Sequence, residues 1–194
     1  MKRKLLFVVL AMALAAITAV GTIAYYTDTD TAHNEMKMGD LDIRLDEWAD
    51  KPDEGEPVPF PENGLIGIVP GTQVTKIAEI ANIGSSYVWL RVSVEKDVTL
   101  AEGTDETEPV NTELITIDFN TEAWEFYNGF YYYKTPLAPG ETTEPLFTQV
   151  AFAPDMSNMY QNAAAGINVR AYAVQHAGNG ETCLEAQGWP AVQP

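Results

Sequence analysis

The 194-residue chain sets 28 acidic residues against 11 basic ones, a net charge of −17, and holds one cysteine and two histidines. A surface this acidic repels nucleic acid and anionic lipid, which excludes nucleic-acid binding, and it favours divalent cations or basic partners. A single cysteine, Cys183, excludes an intramolecular disulfide, so packing or partners must supply the stability.

Lys2, Arg3 and Lys4 precede a continuous apolar run from Leu5 to Val20 and a small-residue exit, Gly21-Thr22-Ile23-Ala24. These are the three regions of a secretory signal peptide, with cleavage expected between Ala24 and Tyr25. An uncleaved anchor over Leu5 to Tyr26 is the alternative, since about 20 apolar residues span a bilayer. Cleavage removes three basic residues and no acidic one, leaving eight against 28 and a net charge of −20. The remainder has the size of one domain.

In the exported chain, Leu41, Ile43 and Leu45 alternate with Asp40, Asp42 and Arg44, the pattern of a half-buried strand. Asp50 to Asn63 is rich in Asp, Glu and proline and is expected to be an exposed loop that forms no ladder. After a turn at Val69-Pro70-Gly71-Thr72, strands are expected over Val74 to Ile80 and Tyr87 to Val94, around a break at Asn82 to Ser86. Val88, Leu90, Val92 and Val94 share one face of the second. A polar stretch from Glu95 to Asn111 leads to a short strand over Leu114 to Ile117. Asn128-Gly129, between Trp124 to Tyr127 and Phe130 to Tyr133, supplies the positive φ angles of a type I′ hairpin. A Pro-Gly turn at Leu137 to Thr143 precedes strands over Pro145 to Phe152 and Ala165 to Gln175, and Asp155 to Ala164 is the one place suited to a helical turn. Short strands at this spacing predict an all-β, two-sheet antiparallel sandwich, jelly-roll-like, with little helix.

Residues that could carry chemistry are sparse. His33 and His176 fit no His-Glu-x-x-His pattern and are expected to be solvated, and there is neither a Gly-x-Ser-x-Gly elbow nor a phosphate-binding glycine loop. The runs Thr27 to Thr31 and Asp50 to Glu56 lack the ligand spacing of a calcium loop, so weak calcium binding there stands behind a solvated acidic surface. The aromatics Trp124, Phe126, Tyr127, Phe130, Tyr131, Tyr132 and Tyr133 suit sheet packing, with a sugar-stacking platform as the alternative. Cys183 is expected to be a buried or loop thiol, with an intermolecular disulfide as the lesser alternative.

The segment Gly21 to Ala32, followed by Met38-Gly39-Asp40-Leu41-Asp42-Ile43, resembles the N-terminal signature of the TasA/camelysin family, associated there with export by the signal peptidase SipW. Val69-Pro70-Gly71, Ile80-Ala81-Asn82-Ile83-Gly84-Ser85 and the closing Val169 to Gln175 are similar to that family's turn, bend and final strand. The resemblance implies a structural subunit of bacterial biofilm matrix fibres, a jelly-roll domain over 39–194 with no required cofactor. Its segment 25–38 would be donated to a sheet of the next subunit. The donor residues it implies are Tyr25, Tyr26, Thr27, Asp28, Thr29, Asp30, Thr31, Ala32, Met36 and Met38. An anchoring or accessory matrix protein would be a further partner. Alternatives are a camelysin-like surface metallopeptidase, against which the missing zinc-ligand motif counts, and a non-polymerising adhesin or glycan-binding module.

Overall fold

The computed structural model describes residues 41–61, 65–66, 69–104 and 108–191. The chain divides into two units, Met1–Met38 and Gly39–Pro194, and the described residues all belong to the second. Among the described residues, ten strands form two five-stranded sheets. In chain order they are β1 (Ile43–Asp50), β2 (Val58–Pro59), β3 (Leu65–Ile66), β4 (Gln73–Asn82), β5 (Val88–Thr99), β6 (Ile115–Ile117), β7 (Trp124–Tyr127), β8 (Phe130–Tyr133), β9 (Phe147–Phe152) and β10 (Ala164–Gln175).

One sheet runs β2-β1-β4-β9-β6 and the other β3-β10-β5-β8-β7, with every pairing antiparallel. The chain crosses between sheets at β2 to β3, β3 to β4, β4 to β5, β5 to β6, β6 to β7, β8 to β9 and β9 to β10. Only β1-β2 and β7-β8 are neighbours within a sheet and in sequence, so the sandwich is closed by crossovers and not by hairpins. The all-β, two-sheet expectation is therefore met.

Alternation along β4 and β5 builds the core. Ala78, Ile80, Val88, Leu90 and Val92 are fully buried, and they meet Phe147, Val150, Trp124 and Tyr160 between the sheets. Each of the larger of these, such as Ile80, Leu90 or Phe147, contributes roughly 1.5–3 kcal/mol by leaving water. The Asn128-Gly129 turn has φ of 47° and 83°, the left-handed pair that a type I′ hairpin requires. A single 3-10 turn at Asn158–Tyr160 lies inside the segment expected to turn helically.

Asn82 joins the two sheets at one end of the sandwich. Its fully buried amide donates to the Ser86 carbonyl (2.9 Å) and the Leu137 carbonyl (3.0 Å), and its Oδ1 accepts from the Gly84 amide (3.1 Å). Leu137 bridges to Val88 of β5 and Thr142 to Ala81 of β4, so the β8–β9 crossover is stitched to both sheets around this side chain.

Three expectations are corrected, and the sandwich has one face more buried than any single strand discloses. The loop from Asp50 to Asn63 does contribute to a ladder: Val58 and Pro59 pair with Asp50 and Trp48 of β1. At a sheet edge a proline is tolerated because one side of its backbone needs no partner. The polar stretch said to begin at Glu95 is still strand as far as Thr99, with Glu95 and Asp97 exposed and Lys96 and Val98 half-buried. In β5, burial is two-sided: Trp89, on the face opposite Leu90, is 2% exposed. His176 is half-buried instead of solvated, its ring edge-on to Trp89 at 4.8 Å.

The C-terminal segment explains the burial of Trp89. It folds over the outer face of the second sheet, where Cys183 and Ala186 are buried against Trp89, Tyr132 and Val174. Asn179 ties the segment down: its carbonyl accepts from Trp89 Nε1, and its amide group donates to the Gln175 and Gln187 carbonyls. Arg91 is stacked on Phe130 at 4.0 Å and donates to the Pro190 carbonyl. Burial first, and then the Glu125 carboxylate, pushes the Cys183 thiol up. Since the thiolate is the reactive form, iodoacetamide at pH 8 is expected to label Cys183 on the order of a hundredfold more slowly in the folded protein than in urea. Equal rates would mean that the segment does not seal the face.

Candidate functional site: an open notch between the sheets

Strand lengths are unequal, and the mismatch leaves a gap. β8 pairs with β5 only at Arg91 and Val92, whereas β5 continues to Thr99 with β10 as its partner along the whole length. The second half of β5 thus has a strand on one side only. Facing it, β6 is the last strand of the other sheet.

The backbone direction of β6 follows from its hydrogen bonds to the β9 side. Ala153 N–H donates to the Leu114 carbonyl (2.8 Å), and Asp118 N–H donates to the Gln149 carbonyl (3.3 Å). Peptide groups alternate along an antiparallel strand, so Leu114, Thr116 and Asp118 face β9 while Ile115 and Ile117 face outward. The outward Ile115 N–H is taken by the Thr112 carbonyl, closing the 3-10 turn at Thr112–Leu114. Its outward carbonyl accepts from Lys96 Nζ at 3.0 Å. Asp118 locks the other side of β6, its carboxylate accepting from the Thr148 and Gln149 amides at 2.9 and 2.7 Å.

Between these two edges lies a cleft of about 460 Å³. Val94, Ile115, Ile117, Phe119, Phe126 and Tyr131 supply its apolar lining, and Lys96, Glu113 and Thr116 its polar groups. Phe119 stacks on Tyr131 at 4.1 Å and Phe126 lies at 4.8 Å from the same ring, which fixes the aromatic wall. Burial pushes the Tyr131 phenol up, so it stays a neutral donor through the physiological range. Apolar pockets flanked by unpaired strand edges are what an added strand needs: the edges take its amides and carbonyls, and the pockets take alternate side chains.

The aromatic group divides. Trp124, Tyr132 and Tyr133 are buried, Phe130 and Tyr131 are half-buried, and only Phe126 and Tyr127 stand out, at 61% and 59% exposure. Sequence reasoning placed Phe126 and Tyr131 in this group but named no acceptor residues. The signal lay in the alternation of Val94, Lys96 and Val98 beyond the point where the strand was expected to stop.

The expected cleavage pair, Ala24 and Tyr25, lies outside the described residues. So do the donor residues Tyr25, Tyr26, Thr27, Asp28, Thr29, Asp30, Thr31, Ala32, Met36 and Met38, as well as His33. The acidic loop Asp50 to Glu56 is exposed throughout, and from it Lys51 pairs with the buried carboxylate of Glu79. Among the described residues, no group of three or more His, Cys, Asp or Glu side chains could hold a metal ion. No helix among them is long and apolar enough to cross a membrane. No protein-family model, no curated protein and no solved structure matches the chain.

Proposed function

We propose that this chain is an exported structural subunit of bacterial matrix fibres, and that segment 25–38 of one copy fills the notch of the next. The observation that carries the reading is the notch itself: a cleft with the outer edge of β6, the last strand of its sheet, on one side and the half of β5 that has a strand on one flank only on the other. An edge of this kind attracts extended chain, and a strand bound there satisfies backbone groups that water otherwise covers.

The occupant is argued from the chain. Fully extended, 25–38 reaches roughly 45 Å, enough to leave one subunit and lie along another. Its alternation puts Tyr25, Thr27, Thr29 and Thr31 on one face and Tyr26, Asp28 and Asp30 on the other. Removal of residues 1–24 would give the segment a free end. Repeated head to tail, such a contact does not close and generates a filament. The resemblance to the TasA/camelysin family leads to the same reading.

The test compares protein beginning at Tyr25 with protein beginning at Gly39, by negative-stain microscopy and sedimentation across a calcium titration. Filaments from the longer chain only are expected. Monomers from both would overturn the fibre reading and favour an adhesin that uses exposed Phe126 and Tyr127.

A further inference from the structure

Lys96 occupies an unusual place for a cation in an acidic protein. It follows Val94 on the inward-facing side of β5, yet its side chain is 23% exposed, because it leaves the sheet where β8 has ended. Its Nζ reaches across the mouth of the notch to the opposite sheet, 3.0 Å from the Ile115 carbonyl and 3.3 Å from Glu113 Oε1. Glu113 is 83% exposed, so that pairing is screened by water and adds little. The contact with consequence is the one to the carbonyl.

That carbonyl is one of the outward groups of β6 that an entering strand would need for its own amide. A charged donor already holds it, and hydrogen bonds from charged donors are stronger than those between neutral groups. Lysines at sheet edges also discourage chance pairing, because a strand laid against them must bury or displace the charge.

We propose that Lys96 gates the notch: in the unassembled subunit its ammonium occupies the Ile115 carbonyl, and strand entry requires it to swing out into water. The gate rests on the strand-donation reading and adds its regulation. It predicts slow, selective nucleation, since every new contact must first break the lysine bond. Fibre growth would then favour the one segment that returns enough backbone and side-chain contact to offset the loss.

The experiment follows light scattering during assembly of the chain beginning at Tyr25, with Lys96→Met, Lys96→Ala and Lys96→Arg variants, and a thermal midpoint for each. Either of the first two that melts cooperatively is expected to shorten the lag about tenfold, the factor that loss of one charge-assisted bond allows. Lys96→Arg keeps a donor and is expected to keep the parent's lag. A parent-like or longer lag in the folded Met and Ala variants overturns the gate while leaving strand donation standing. Failure of the parent chain to assemble at all overturns strand donation, and the gate with it.

Discussion

Ile117→Pro is expected to leave the sandwich folded and to abolish assembly. Ile117 directs its N–H away from β9, so proline removes a donor that no strand of the same subunit uses, while Thr116 and Asp118 keep β6 attached. Thr116, as the residue before proline, is already extended, the conformation such a position prefers. The lost isoleucine packing costs about 1–2 kcal/mol, too little to unfold a domain of this size. An incoming strand would lose an edge hydrogen bond and meet the pyrrolidine ring. Far-UV circular dichroism and sedimentation decide the matter: a folded monomer is expected. Fibres as abundant as the parent's would mean that β6 is not the accepting edge.

Asn82→Ala is expected to have the opposite profile, lowering stability without touching the notch. The substitution removes two donated hydrogen bonds and one accepted bond at a site with no exposure, and leaves the Leu137 carbonyl with the Val88 amide as its remaining donor. A loss of about 3 kcal/mol follows from three buried hydrogen bonds at net values near 1 kcal/mol each. For a domain this size that lowers Tm by roughly 6–12 °C. Urea denaturation measures it directly. A loss under about 1 kcal/mol would show that a water can enter and replace the amide.

Much of the sandwich was legible because its strands alternate and its turns carry their own chemistry. Asn128-Gly129 and the Val88, Leu90, Val92 series needed nothing beyond local sequence. Three kinds of feature did not read locally. Val58-Pro59 pairs only because β1 presents an edge, which composition cannot disclose. Trp89 is buried by a segment from the far end of the chain, so β5 is covered on both faces. Glu95 to Thr99 is polar in composition, yet Lys96 continues the inward series of Val94. The notch escaped for the same reason: it arises from the unequal lengths of β5 and β8, a property of pairing and not of either strand alone.

Cross-linking between two separately made chains tests the central claim most directly. One chain begins at Tyr25 and carries Thr27→Cys, Thr29→Cys or Thr31→Cys; the other carries Thr116→Cys at the exposed rim of the notch, with buried Cys183 kept in both. Strand donation predicts a disulfide-linked dimer of one chain of each kind, formed when the two assemble together under mild oxidation and absent when either new cysteine is missing. Fibres that form from the mixture with no such dimer from any of the three positions would contradict it.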